Sequence, residues 1–112
     1  MTGGDANAAG SLNSRVILQA PQATPDGAGG ETIGWTTVAT LWAELRPIGG
    51  GETFAFERAE PTVGWRVRIR FRDDVAPDMR FAIGPRVLEI RAAFDPDGRR
   101  AFLECLAEER GQ

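Results

Sequence analysis

The sequence predicts an all-β fold, a small antiparallel β-barrel or sandwich of about six strands. Short runs in which apolar and polar residues alternate recur along the chain, as expected of strands with one buried and one solvated face. Clusters of glycine, proline and aspartate separate these runs and supply the turns. At 112 residues, with 42% hydrophobic and 26% charged residues, the chain has the size and composition of one globular domain.

The first predicted strand is RVILQA, from Arg15 to Ala20. Pro21 closes it, and the PDGAGGET stretch that follows predicts a long loop because proline, aspartate and glycine are turn residues. Residues 1–11 are small, polar and glycine-containing, so we expect a flexible N-terminal arm. The folded domain is then expected to span residues 12–110.

The second predicted strand runs from Ile33 to Pro47 and is dominated by β-branched residues and tryptophan. A helix is the competing interpretation of ATLWAEL, but the threonines, the tryptophans and the limit at Pro47 favour a strand. Alternation gives two faces, one with Trp35, Thr37, Ala39, Leu41, Ala43 and Leu45 and the other with Thr36, Val38, Thr40, Trp42 and Glu44. Both faces carry apolar bulk, so we expect a central strand that is covered on both sides.

An insertion over residues 49–62 is predicted between the second and third strands. It opens with three glycines that break the chain: Gly49, Gly50 and Gly51. Residues Glu52 to Pro61 form the best helical window of the sequence, with glutamate early and proline at the end. Phe54 and Phe56 are two residues apart, which is a poor helical spacing. We therefore predict a mobile insertion that can hold one short helix.

The third predicted strand is WRVRIRFRDD, in which arginine alternates with large apolar residues. The period of two places Val67, Ile69 and Phe71 in the core and puts four arginines on the other face: Arg66, Arg68, Arg70 and Arg72. Two interpretations compete for that basic face, a nucleic-acid-binding stripe and the solvated side of a strand whose arginines pair with carboxylates. Ion pairing is favoured because the chain is net acidic, with Glu44, Glu89 or the next subunit as the expected partners.

Three further strands are predicted towards the C-terminus. MRFAIG (79–84) leads through Pro85 into RVLEIRAAF (86–94), in which Leu88, Ile90 and Ala92 should face inward while Glu89 and Arg91 face outward. DPDG (95–98) has the proline and glycine positions of a turn. RAFLECLAE (100–108) is the returning strand.

The composition removes most catalytic chemistry. The chain has no histidine, lysine or tyrosine, so it lacks Ser-His and Cys-His couples, a P-loop lysine and an imidazole metal ligand. Cys105 is the single cysteine and lies in an apolar run, where we expect a buried side chain. We predict no enzyme activity, no metal and no cofactor; a carboxylate hydrolase would need two acids in one cleft, and no spacing indicates such a pair.

Charge and hydropathy restrict the partners and the location. The formal net charge of −3 is the wrong sign for a surface that binds nucleic acid over its whole extent. No run of about 18 apolar residues is present to cross a membrane, and MTGGDANAAGS lacks the basic start and apolar stretch of a secretory signal. We expect synthesis in the cytoplasm.

The order of motifs resembles the head-tail joining family of tailed bacteriophages, also called head-closure or stopper proteins. The resemblance covers about residues 12 to 109 and is carried by LNSRVILQ, a glycine-rich loop with DG, the LWAELRPIGGGE stretch, RVRIRFR, MRFAIGPRVLEI and DPDGRRAFLECLAEE. No single motif is specific, and the strength lies in their order. Related proteins also occur in prophages and gene transfer agents.

The resemblance implies a β-barrel subunit of a homo-oligomeric ring, six-fold in our expectation, in the connector of a virion. The ring would lie between the portal or adaptor and the tail or its terminator protein, and packaged double-stranded DNA would pass through its lumen. In stopper-like relatives, the loop between the second and third strands closes the channel. Gly49, Gly50 and Gly51 thus become hinge candidates and Phe54 and Phe56 become gating candidates; adaptor, stopper and tail-completion levels all stay open.

Candidate subunit contacts also follow from the residues themselves. Three tryptophans and two-faced strands exceed what a 112-residue monomer needs to bury. We expect Trp35 and Trp65 to fill the core and Trp42, on the opposite face of its strand, to lie in an interface together with Arg66, Arg68, Arg70 and Arg72. The alternative function is a free-standing β-barrel that binds nucleic acid through the Arg66–Arg72 strand.

Overall fold

Within the described part of the chain, six antiparallel strands close into one barrel, which confirms the predicted fold class. The computed structural model describes residues 12–48 and 62–110. The strands are β1 (Ser14–Pro25), β2 (Glu31–Pro47), β3 (Thr62–Arg70), β4 (Arg80–Ile83), β5 (Arg86–Phe94) and β6 (Phe102–Arg110). Their order is β1-β2-β3-β6-β5-β4, and pairing of β4 with β1 closes the barrel. The predicted arm (1–11) and the predicted insertion, except Thr62, lie outside the described residues.

Alternate residues of every strand fill the barrel. The fully buried side chains include Val16, Leu18, Val67, Ile69, Phe81, Leu88, Ile90 and Cys105. Val67 and Ile69 are inward as predicted, and Phe71 packs against the core just beyond the end of β3. Each such aliphatic or aromatic side chain contributes about 1.5–3 kcal/mol to the free energy of unfolding through burial. The core is therefore supplied by the apolar half of each alternating run.

The first strand is longer than predicted. Pro21 does not end it, because β1 continues to Pro25 and its last residues pair with Glu31 to Thr36 of β2. Proline is tolerated where its nitrogen points away from the neighbouring strand, since no ladder hydrogen bond is then lost. The predicted long loop is instead a short turn in which the Asp26 carboxylate accepts hydrogen bonds from the backbone N–H groups of Ala28 and Gly30 at 2.8 and 3.0 Å.

A β-bulge divides β2 into two parts, and the alternation of inward and outward side chains is reversed between them. Leu18 lies opposite Ala39 while Gln19 lies opposite Thr37, so Val38 has no partner in β1. An extra residue reverses which side of the sheet the following residues occupy. The prediction that Trp35 and Thr37 share a face with Ala39 is therefore wrong, and Trp35 lies on the outer surface, 38% exposed.

A second β-bulge changes which side chains of β5 point into the barrel. Ile90 lies opposite Ala107 and Ala92 lies opposite Leu106, so the register shifts at Arg91. Ala93, opposite Cys105, then packs against the core. The predicted inward orientation of Ala92 is wrong for this reason, whereas Leu88 and Ile90 are buried as predicted.

The connection from β5 to β6 is a turn as predicted, but a wider one. The Asp95 carboxylate accepts hydrogen bonds from the backbone N–H groups of Asp97, Gly98 and Arg100. Arg100 adopts a positive φ of 59° and so remains in the turn. The last strand consequently begins at Phe102, two residues later than predicted.

The β1–β2 hairpin extends beyond the barrel as a two-stranded ribbon. Pairing of β1 with β4 stops at Gln19, whereas pairing with β2 continues to Pro25. We call residues 20–25 and 31–36 the ribbon. Six residues of strand reach about 20 Å at roughly 3.3 Å per residue. The barrel therefore has a narrow arm whose backbone pairing, among the described residues, lies between its own two strands.

Candidate assembly surfaces

The outer face of β3, β6 and β5 carries arginines whose charges are neutralised by carboxylates. Glu104 lies opposite Arg68, and its carboxylate forms an ion pair with the Arg68 guanidinium at 2.7 Å. The Arg66 guanidinium lies 3.5 Å from the same carboxylate. Glu104 is only 6% exposed although it lies on the outer side of the barrel. Two guanidinium groups thus cover one carboxylate.

A second group of ion pairs continues this face. Arg91 contacts Glu108 at 3.0 Å and Glu89 at 2.9 Å, and Arg110 lies 3.7 Å from Glu89. Glu108 is 1% exposed. We call Arg66, Arg68, Arg91, Glu104 and Glu108 the arginine face. Ion pairing within or between subunits is the favoured interpretation of the arginine strand, and Arg66 and Arg68 show such pairing within the subunit through Glu104.

The two predicted partners occupy different places. Glu44 lies opposite Arg68 in the register, as expected of a partner on a neighbouring strand, and its carboxylate pairs with Arg46 at 2.8 Å. Glu89 pairs with Arg91 of β5 and Arg110 of β6, which are not arginines of β3. Glu104 and Glu108 were not among the predicted site residues. Their signal was present in the sequence, because in AFLECLAEE they alternate with Leu103, Cys105 and Ala107 and therefore belong to the outer side.

The arginine strand is not uniform along its length. Arg72 lies beyond the end of β3 and makes a bidentate pair with Asp74, both contacts at 2.9 Å. This hydrogen-bonded pair lowers the pKa of Asp74 and raises the pKa of Arg72. Arg70 is exposed and has no carboxylate partner among residues 12–48 and 62–110.

The outer face of β1, β2 and β4 combines tryptophans with arginines. The Arg15 guanidinium lies 4.7 Å from the centroid of the Trp42 ring, and that of Arg80 lies 3.9 Å from the Trp35 centroid. Trp42 is 51% exposed. Arg70, at the end of β3, lies beside Trp42. We call Arg15, Trp35, Trp42, Arg70 and Arg80 the tryptophan face.

An open cleft belongs to the tryptophan face. Trp42 and Arg70 line it together with Leu12 and Asn13, and its volume is about 350 Å³. Within the described part of the chain, Arg15, Arg70 and Arg80 have no ion pair with a carboxylate. The charges of these three arginines are therefore not neutralised by any carboxylate among the described residues, and Trp35 and Trp42 are both exposed.

One end of the barrel is held by a tryptophan, an arginine and a glutamate. The Trp65 indole N–H donates to Glu109 at 2.9 Å, and Arg86 makes two hydrogen bonds with the same carboxylate at 2.9 and 3.0 Å. Arg86 also lies over the Trp65 ring. The hydrogen bonds from Arg86 and then Trp65 lower the pKa of Glu109. Trp65 packs against the core, which confirms its predicted placement.

The described residues offer little chemistry. No group of three or more histidine, cysteine, aspartate or glutamate residues among them could hold a metal ion. Burial, with a smaller contribution from the charge of Glu104, raises the pKa of the Cys105 thiol to about 12, so it is a buried protonated thiol. Within residues 12–48 and 62–110 no helix has the length and apolar character that a membrane span needs.

The predicted site residues that the structure describes divide into three groups. Arg66 and Arg68 belong to the arginine face, Arg70 and Trp42 lie together at the cleft, and Arg72 pairs locally with Asp74. The hinge and gating candidates lie outside the described residues: Gly49, Gly50, Gly51, Phe54 and Phe56. Arg15, Arg80 and Trp35 complete the tryptophan face and were not predicted as surface contacts.

The small β-barrel has one internally neutralised face, one aromatic face and a projecting ribbon, and exposed aromatic surface of this kind is typical of proteins that contact other proteins. Residues 8–110 match the family model of the phage head completion protein. The chain therefore belongs to the phage head completion protein family, as the order of its motifs indicated, and is a head-tail structural protein of phage-like virions.

Two solved structures resemble the chain over most of their length. A chain from the virion of a native gene transfer agent particle matches with a TM-score of 0.71 and 28% identity, covering 89% of this chain and 96% of that one. The solution structure of protein SF1141 from Shigella flexneri 2a matches with a TM-score of 0.68 and 29% identity, covering 90% and 95%. Comparison with curated protein sequences gives no match.

Proposed function

We propose that the chain is a connector subunit that forms a ring between the portal of a phage-like head and its tail, and that this ring retains packaged DNA. The family and the gene transfer agent particle support the location in the virion. The observation that carries the ring is the contrast between the two outer faces. Subunits in a ring meet through unlike surfaces, and this barrel presents unlike surfaces on different strands.

The tryptophan face is the better candidate for the contact with a neighbouring chain. Tryptophan and arginine are the residues most enriched among those that contribute strongly to binding. Arg15, Arg70 and Arg80 lack a carboxylate in the described part of their own subunit, so an acidic neighbour can supply one. The ring is expected to be six-fold, with the portal or an adaptor on one side and a tail protein on the other.

DNA retention is assigned to residues 49–62. Gly49, Gly50 and Gly51 would act as the hinge, and Phe54 and Phe56 would narrow the lumen. These assignments follow from the family resemblance and from the position of the segment between β2 and β3. The alternative of nucleic-acid binding through the Arg66–Arg72 strand is disfavoured, because Arg66, Arg68 and Arg72 are already paired with carboxylates.

Particles assembled with and without the chain test the proposal. Omission is expected to give heads without tails that lose their DNA, measured by electron microscopy and by nuclease sensitivity of the packaged DNA. Replacing both Phe54 and Phe56 with serine should preserve tail joining and increase nuclease sensitivity. Phe94→Ser is the matched control, since Phe94 is an exposed phenylalanine on the barrel. Tailed, nuclease-resistant particles that lack the chain would contradict the proposal.

A further inference from the structure

One edge of β2 is open along the ribbon and beyond it. From Glu31 to Ala43, β2 pairs with β1 on one side, and among the described residues no strand pairs along its other side. Of the six large hydrophobic side chains that the described residues expose, four lie on β2: Ile33, Trp35, Val38 and Trp42. An exposed strand edge presents unpaired backbone N–H and C=O groups that another strand can use.

The turn determines which backbone N–H and C=O groups of the ribbon point outward. The Asp26 N–H donates to the Gly30 carbonyl at 3.1 Å, which makes the adjacent pair, Pro25 and Glu31, a pair without mutual hydrogen bonds. Because such pairs recur at every second residue, Ile33 and Trp35 also form no backbone hydrogen bonds with their partners in β1. The backbone N–H and C=O groups of Glu31, Ile33 and Trp35 therefore point away from β1, towards the open side.

The two edges of the ribbon are protected differently. On the β1 side, the partners of Trp35 and Glu31 are Pro21 and Pro25, which have no N–H to offer. Ala23 is the one remaining outward donor on that side of the ribbon. On the β2 side every outward N–H is present, and residues 32–43 contain neither proline nor a charged residue. Proline and charged residues are the usual protection of a strand edge. The β1 edge of the ribbon is therefore protected against an added strand, and the β2 edge is not.

The ribbon also has two chemically distinct faces. Cross-strand pairing places Ile33 and Trp35 on one face with Pro21, Ala23 and Pro25. The opposite face is small and polar, and there the Thr36 hydroxyl bonds Gln22. Two carboxylates, Asp26 and Glu31, lie at the tip. Backbone hydrogen bonds lower the pKa of Asp26, so the tip is negatively charged near neutral pH.

We propose that β2 accepts an added β-strand along Glu31 to Trp35, supplied by a different protein of the particle. The added strand has apolar side chains at alternate positions over Ile33 and Trp35, small polar ones beside the threonine side, and an arginine or lysine at the end that meets Asp26 and Glu31. Its main-chain groups complete the ladder that β2 leaves open.

The choice of a different protein rests on the proposed function. Within the ribbon, a second copy can offer its own β2 edge but not its β1 edge, because Pro21 and Pro25 have no N–H to donate there. Pairing β2 with β2 is two-fold symmetric and uses the same edge in both copies, so it yields a closed dimer. A ring subunit keeps this edge for a neighbour of another kind.

Matched proline substitutions test the added strand. Ile33→Pro and Ala23→Pro alter two residues that face each other across the ribbon, and each removes one outward N–H without removing a bond between β1 and β2. Incorporation into particles is quantified by mass spectrometry for full-length chains, and folding by circular dichroism and thermal unfolding. Ile33→Pro is expected to reduce incorporation at least about tenfold, while Ala23→Pro stays near wild type.

Each outcome decides the inference. Normal incorporation of Ile33→Pro, or equal losses in both variants, would overturn it. If Ile33→Pro unfolds, Ile33→Lys replaces it, since a lysine protects an edge without altering the backbone, and the same loss is expected. The purified wild-type chain is also tested for dimerisation. If it dimerises and the Ile33→Pro variant is monomeric, the added strand comes from a second copy, and the assignment to a different protein is overturned. If the wild-type chain is absent from particles, the proposed function is refuted. The assignment of the added strand to a different protein of the particle is then refuted as well.

Discussion

The arginine face and the tryptophan face contain the same basic residue in opposite electrostatic surroundings. On the arginine face, Arg66 and Arg68 share Glu104, and Arg91 holds Glu108. On the tryptophan face, Arg15 and Arg80 stack on tryptophan rings. Alternation in the sequence identifies an arginine as outward-facing, but the neighbouring strands decide whether its charge is neutralised. A conspicuous arginine repeat can therefore belong to the less reactive surface.

The largest expected effect comes from reversing the charge and removing the aromatic group on the tryptophan face. The Trp42→Ala, Arg15→Glu double variant should incorporate into particles at least about tenfold less than wild type, because buried tryptophan and arginine anchors contribute 2 kcal/mol or more to binding. Its thermal unfolding should be nearly unchanged, since both residues are exposed. Quantitative mass spectrometry of purified particles measures the effect.

The matched variant on the other face is Arg66→Glu. Arg66 is exposed and outward-facing like Arg15, but its guanidinium already lies 3.5 Å from Glu104. We expect a smaller loss of incorporation than for the tryptophan-face variant. Equal or greater loss would show that the arginine face forms the contact between chains.

Glu104→Ala tests the internal role of the arginine face. Its carboxylate is nearly buried and carries two arginines, so its removal should lower the free energy of unfolding by about 2 kcal/mol, the typical scale for hydrogen bonds to charged groups. Urea denaturation measures this loss. Glu31→Ala, at an exposed ribbon site, is the control and should change stability by less than about 0.5 kcal/mol. Equal stabilities for the two variants would contradict the assignment.

At one end of the barrel, a tryptophan and an arginine bond the same carboxylate, because Trp65 and Arg86 both donate to Glu109. The pKa of Glu109 is lowered in the folded chain, so its stabilising contribution is present above its ordinary pKa and is lost as the pH falls through the lowered one. Glu109→Gln should cost about 1 kcal/mol at neutral pH. It should also flatten the acid-side decrease in stability, measured by denaturation across the acidic range; an unchanged slope would contradict this role.

Sequence alternation predicted the number of strands and most of their facing, including the buried Val67 and Ile69 and the exposed Trp42. It failed for Trp35 and Ala92 because each lies next to a bulge, and nothing in the local sequence distinguishes Val38 or Arg91 from an ordinary strand residue. The prediction that Pro21 ends the first strand is wrong, because a proline whose nitrogen faces an open edge removes no bond of the sheet.

The candidate site was harder to predict than the fold. Pairing of Glu104 with Arg68 depends on the register between β3 and β6, which lie more than thirty residues apart in the chain. Register is set by the packing of both strands in the barrel rather than by either strand's own sequence. Residue types therefore indicated which side chains face outward, and only the assembled barrel showed which of them neutralise each other.

The continuity of β2 has a mechanical consequence. The strand is one covalent element from Glu31 at the ribbon tip to Pro47 beside Trp65, and it is hydrogen-bonded to β1 and then to β3. A pull on the tip along the strand axis is shared by successive cross-strand bonds loaded in shear, instead of opening them one after another. Tension applied at the ribbon is thus transmitted into the barrel wall, so a neighbour that holds the arm also holds the barrel.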